Sequence, residues 1–116
     1  MLPMNEDLEG ALRAYLKLLD EARYFEAHEV LEEAWHPLRL RSDPLANLVK
    51  GLINAAVAFE HLKRARPQAK ERACKVMASF ERHKGLCTDA IRCAALFKQA
   101  CERIERLKGL SNGVFA

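Results

Sequence analysis

Residues 45–64, "LANLVKGLINAAVAFEHLKR", are apolar nearly all the way round a helix. Such a helix has no face to give to water, so it has to lie at the centre of its domain with other helices packed around it. Its start is marked by "RSDPLANL", where Ser42 or Asp43 can cap and Pro44 suits the first turn. Gly51, Ala55 and Ala58 are small enough to let a neighbouring helix come close. A chain of 116 residues has room for one domain of ordinary size around this centre, residues 1–116.

The flanking segments carry helical periodicity too. Over "EDLEGALRAYLKLLDEARY", Leu8, Leu12, Leu16 and Leu19 recur at steps of three and four, with Asn5 as a candidate cap. A second helix is expected over roughly 25–36, ended by Pro37, which disfavours the helical state of the residue before it. A fourth is expected from about Pro67 to His83, stopped by Gly85, with Ala69, Ala73, Val76, Met77 and Phe80 turned inward. A fifth is expected from near Thr88 to Lys108, stopped by Gly109, burying Ile91, Ala94, Phe97, Cys101 and Ile104. No alternating β-branched run competes for a strand. The expected fold is all-α, a compact bundle of about five helices.

Charge is unevenly spread. Residues 1–36 hold 9 acidic and 3 basic groups, whereas residues 37–116 hold 16 basic and 7 acidic groups. The densest basic region is 63–84, with 8 basic and 2 acidic groups, a surface that could attract an anionic partner. No apolar run approaches the ~20 residues of a membrane span. "MLPMNEDLEG" lacks the pattern of a signal peptide, so the cytoplasm is the expected compartment and no membrane partner is expected. Cys74, Cys87, Cys93 and Cys101 form no C-x-x-C pair and match no zinc spacing. They are expected to be reduced, three of them as small buried hydrophobes on helices.

The stretch "YFEAHEVLEEAWHP", residues 24–37, interrupts this pattern. Phe25, His28, Glu32 and Trp35 share one helical face, which places an imidazole and a carboxylate within an apolar stripe. His28 and Glu32 lie one turn apart, so their side chains meet. Such a pair can form a charge-assisted hydrogen bond, supply two ligands to a divalent metal, or hold an acid beside a base. Lys50, Asn54, Ala58 and His61 form a second row on the central helix. His61 is the candidate third ligand, with Glu29, Glu33, Trp35 and Asn54 in support. "HEVLE" differs from the zinc-protease pattern H-E-x-x-H at its last ligand. The pairs and core carboxylates of a di-iron bundle are missing.

The string His28-x-x-x-Glu32-Glu33-x-Trp35, preceded by "FEA" and followed by "GLINAA" and His61, resembles the bacterial and archaeal family catalogued as domain of unknown function 309. The similarity spans roughly helices one to four and is densest over 24–61. The resemblance implies a small all-helical bundle of unknown activity, with a metal role suggested for His28, Glu32 and Glu33. Where that family usually places a Gly-Asn-containing turn, this chain has "KRARPQAKERA".

Three functions follow. The first is a site between helices two and three for a small ligand or a divalent metal (Zn²⁺, Mn²⁺ or Ni²⁺), which could activate a bound water. Its catalytic residues are not specified, because no serine–histidine–acid order, phosphate-cradling glycine loop or activated cysteine is present. The second is a helical protein-interaction module in which the His/Glu stripe is a structural hydrogen-bond network. "EARYFEAHEVLEEAW" resembles half of a tetratricopeptide unit, but no copy recurs at the ~34-residue period of such repeats. The third is nucleic-acid binding through 63–84, disfavoured because few aromatic rings interleave with the basic residues. The oligomeric state is left open by the sequence.

Overall fold

A computed structural model describes residues 7–115, and the expected cap Asn5 lies outside them. The elements are α1 (Leu8–Asp20), α2 (Tyr24–Leu40), α3 (Ala46–Arg64), α4 (Ala69–His83), a single 3-10 turn (Lys84–Leu86) and α5 (Ala94–Gly109). No strand occurs among the described residues. The helical bundle expected from periodicity is the observed fold.

The central helix is α3. Ten of its residues are buried: Ala46, Leu48, Val49, Gly51, Leu52, Ile53, Ala55, Ala56, Ala58 and Phe59. It packs mainly on α2 and α4, while α1 closes against α2 and α5. The α3–α4 approach runs through Gly51, where an added Cβ would lie 3.1 Å from the Cα of Phe80 and 3.3 Å from the carbonyl oxygen of Ser79. One core cluster unites Leu12, Tyr15 and Leu19 of α1, Leu31 and Leu38 of α2, Phe80 of α4 and Phe97 and Ile104 of α5 around α3.

Tyr15 is fully buried, and its hydroxyl donates to the Leu52 carbonyl at 2.6 Å, pinning α1 to the centre of α3. Burial, reinforced by nearby Cys101, pushes the Tyr15 phenol well above its ordinary value of 10.0. Below pH ~10 both folded and unfolded chains keep this proton, so the contribution is whole. As the pH rises further the unfolded chain ionises while the native one resists, so stability falls by up to ~1.4 kcal/mol per pH unit. Parent and Tyr15→Phe should therefore differ in urea midpoint at pH ~8, where the phenylalanine variant loses ~1 kcal/mol with the hydrogen bond, and converge by pH ~11. A gap that stays constant across that range would contradict this account.

Three boundaries differ from the sequence expectation. The first helix stops at Asp20, before the expected Tyr24, because Ala22 takes the left-handed conformation (φ 57°). The Ala22 and Arg23 amides then close on Leu19 and Leu18 carbonyls in a Schellman arrangement. Pro37 does not end α2. Lacking an N–H, it deprives the Glu33 carbonyl of a helical partner, but fully buried Leu38 anchors a further turn. That turn is closed at Ser42 (φ 54°), where the Ser42 and Asp43 amides bond to Arg39 and Leu38 carbonyls. The last helix begins at Ala94, not near Thr88. Thr88 instead accepts the Ala90 amide in a local turn (3.4 Å), and Cys93 is left-handed (φ 56°).

Polar contacts tie these turns down. The N-cap position of α3 is Leu45, so Asp43 does not cap the helix as expected; its side chain instead accepts the Leu45 amide (2.9 Å) and Arg92 (3.0 Å), closing the α2–α3 turn and linking it to the segment before α5. Burial alone would raise the Asp43 carboxyl, but the Leu45 amide and Arg92 hold it below its ordinary value. Lys84 and Lys108 pair with Glu81 and Glu105 and lie 5.8 and 5.9 Å from the Phe80 ring centre, covering the α4–α5 seam. The four cysteines are free, and none is fully buried, contrary to expectation. Cys74 is exposed and donates to the Val114 carbonyl (3.0 Å), and Cys93 lies outside any helix. Burial and neighbouring Cys87 push the Cys101 thiol up to about 12, which keeps it protonated and unreactive.

Candidate functional site

The buried stripe of α2 is Ala27, Leu31, Ala34 and Leu38. His28, Glu32 and Trp35 each follow one of these residues by a single position, so they leave the helix about 100° round from the core. All three are half-buried, and Phe25 is 45% exposed. The expectation that this row forms part of the core stripe is thus corrected: small alanines occupy the helix–helix contact, and the larger residues line its edge. Trp35 packs against the core from that edge without entering it.

This edge faces α3. Lys50 Nζ sits 4.3 Å from the centre of the Trp35 ring, and the Arg39 guanidinium carbon sits 5.3 Å from it. At the other end of the seam, the Arg64 guanidinium carbon lies 5.6 Å from the Phe25 ring centre, and the rings of Tyr24 and Phe59 are 5.5 Å apart. The two helices are therefore antiparallel, with His28 and Glu32 between an aromatic–cation pair at each end. The Trp35 and His36 ring centres are 5.1 Å apart.

His28 Nδ1 lies 2.5 Å from the Phe25 carbonyl oxygen. A carbonyl only accepts, so Nδ1 carries a proton, and Nε2 is the nitrogen that can offer a lone pair. Fixing a histidine through the nitrogen that is not used is how metal-binding and proton-accepting imidazoles are commonly oriented. Phe25 steadies the same ring edge-on, with centroids 4.9 Å apart. Glu32, one turn on, has no hydrogen-bond or ion-pair partner among the described residues, and no buried side-chain polar atom is left unsatisfied there.

The remaining expected site residues are dispersed. Asn54 is half-buried on α3 and Glu29 is exposed. Glu33 is on the opposite flank of α2, with Val30 and Ala34 beside Asp7, Gly10 and Ala11 of the α1 end. His61 opens into a crevice at the α3–α4 corner with Arg64, Arg66 and Arg72. Among the described residues, no three His, Cys, Asp or Glu side chains gather as a metal-binding cluster. His28, Glu32 and His61 therefore do not form one ligand set in this structure.

Sequence reasoning did not find a groove of about 550 Å³ whose walls include Tyr24, Phe59, Leu62, Lys63, Leu107 and Val114. Its lining comes from the turn before α2, from α2, α3, α4 and α5 and from the tail after α5, so no single helical face announces it. Lys63 bridges its rim by donating to the Ala22 carbonyl (2.8 Å).

Residues 12–72, from the second turn of α1 into the first turn of α4, match the family described as domain of unknown function (DUF309). The chain belongs to that family. The match covers more than half of the chain and contains the whole of α2 and α3. The rest of α4 and α5 lie beyond the DUF309 match. No curated protein matches the chain, and no solved structure does. No helix among the described residues is long and apolar enough to cross a membrane.

Proposed function

We propose that the α2–α3 edge of this DUF309 protein binds a divalent metal ion, Zn²⁺, Mn²⁺ or Ni²⁺, through His28 Nε2 and the Glu32 carboxylate. The observation that carries this reading is the bond from His28 Nδ1 to the Phe25 carbonyl, which orients the ring and leaves Nε2 free. Glu32 stands one turn away without a protein partner among the described residues. Two protein donors leave most coordination positions to water or to an oxygen-bearing small ligand, the open arrangement of reactive rather than structural metal sites. When bound, such an ion supplies Lewis acidity and an activated water. The role of the protein is to hold the imidazole in one tautomer and to flank the site with Trp35 and the Lys50 ammonium over its ring.

In the interaction-module alternative the His28/Glu32 row is a structural hydrogen-bond network, to which the His28 bond to the Phe25 carbonyl would also belong, while Glu32 has no partner in it among the described residues. We prefer the metal reading because Glu32, one turn from His28, is left without a partner among the described residues and is therefore available as a ligand.

Trp35 is the only tryptophan, so its fluorescence reports on this edge. Titration with Ni²⁺ should quench it saturably. His28→Gln should weaken binding about tenfold or more, as loss of a ligand does. His36→Gln and His61→Gln should leave the affinity unchanged. Quenching that survives His28→Gln but is lost in His36→Gln would show that the metal sits elsewhere.

A further inference from the structure

His61, Arg64, Arg66, Pro67, Ala69 and Arg72 enclose a small cavity of about 80 Å³ where α3 turns into α4. We propose that this crevice binds a single phosphoryl group, as inorganic phosphate or as the terminal phosphate of a small ester. Arg64, Arg66 and Arg72 all line this one small cavity, and their positive charges repel each other unless something negative lies between them. Only Arg64 is matched: its Nε donates to Glu60 at 2.6 Å. Arg66 and Arg72 have no carboxylate partner among the described residues, so the lining keeps an uncompensated positive charge. The cavity, about 80 Å³, has room for one tetrahedral oxyanion. The planar donor fork of arginine matches two oxygens of such an anion at once.

The backbone holds the cluster in place. The connection between α3 and α4 contains two left-handed residues, Ala65 (φ 52°) and Gln68 (φ 66°). The Ala69 amide returns to the Arg66 carbonyl (3.0 Å), folding Arg66 back towards α4, whose first turn carries Arg72. The positive end of the α4 dipole adds to the same field. This setting also explains why His61 is a poor partner for a cation: a divalent metal there would face the guanidiniums. A terminal phosphate, carrying nearly two charges, is favoured over the single charge of a nucleic-acid diester, and few rings stand ready to stack bases.

The test is calorimetric titration of the full chain with inorganic phosphate and with pyrophosphate, metal-free and at low ionic strength, where surface charge is least screened. Both anions should bind at one site. Arg66→Gln and Arg72→Gln should each weaken binding about tenfold or more, while Arg82→Gln, an exposed arginine further along α4, should leave it unchanged. Unaltered circular dichroism would confirm that each variant is folded. Absence of saturable binding would overturn the proposal, and so would equal weakening by Arg82→Gln, which would mean a diffuse cationic surface. Binding of a single-stranded oligonucleotide without any response to phosphate would overturn it too. Because no metal is present, the outcome is independent of the His28–Glu32 reading.

Discussion

Phe80→Ala should lower stability by ~3–5 kcal/mol, the range for deleting a large aromatic from a packed core. Phe80 is fully buried, its backbone meets Gly51 of the central helix, and Lys84 and Lys108 close over its ring. Truncation opens a cavity at the α3–α4 interface, bounded by helices that cannot collapse without moving apart from Gly51. Trp35→Ala should cost less, roughly 2 kcal/mol, although tryptophan is the larger residue. Trp35 packs on the core from its edge and keeps part of its surface in water, so its removal empties less of the interior, and its two cation contacts contribute only ~0.5–1 kcal/mol each. Lys75, exposed on α4, should change stability by under ~0.5 kcal/mol when replaced by alanine. Denaturant midpoints ranking Trp35→Ala above Phe80→Ala would place the core on the wrong face of α2.

Gly51→Leu should be comparably severe for the opposite reason. A Cβ at this position would already lie 3.1 Å from the Phe80 Cα and 3.3 Å from the Ser79 carbonyl oxygen, closer than relaxed van der Waals contact. The neighbours are backbone atoms of a second helix, so they give way only if α4 shifts as a body. Leucine adds three more carbons in the same gap, and overpacking of this kind costs ~1–3 kcal/mol or more. Replacing glycine gains up to ~1 kcal/mol of helix propensity, which does not offset the clash. Gly51→Ala should fall between parent and Gly51→Leu. A leucine variant as stable as the parent, judged by urea midpoint, would mean that α3 and α4 are further apart than described.

The central helix could be read from sequence to within a residue at each end because its signal is redundant. It is apolar on every side, follows a proline turn and ends in a basic stretch. On α2 the helix could be read but its rotation could not. Phe25–His28–Glu32–Trp35 and Ala27–Leu31–Ala34–Leu38 are both rows with helical spacing, and the first carries the larger side chains. The second is buried because alanine lets α1 and α3 approach, a property of the neighbours that local hydrophobicity does not contain. The same limit applies to His61. Its spacing along α3 aligns it with Asn54, but its surroundings depend on how sharply the chain turns into α4. The left-handed Ala65 and Gln68 that set this turn carry no sequence mark, since neither is glycine. Pro37 and Thr88 show the converse: local boundary signals yield to a buried leucine in one case and to a side-chain turn in the other.

The paired His28–Glu32 site is tested most directly by the melting temperature of the parent and of the His28→Leu, Glu32→Leu double variant, with and without Zn²⁺, Mn²⁺ or Ni²⁺. Without metal the two should melt close together, because both side chains are only half-buried and neither bonds across to α3. An ion that binds only the native state must raise the parental melting temperature as its concentration rises. The expected result is a concentration-dependent rise in the parent with at least one of the three ions, and no rise in the double variant. Failure of every ion to shift the parent, or an equal shift in both proteins, would contradict the assignment.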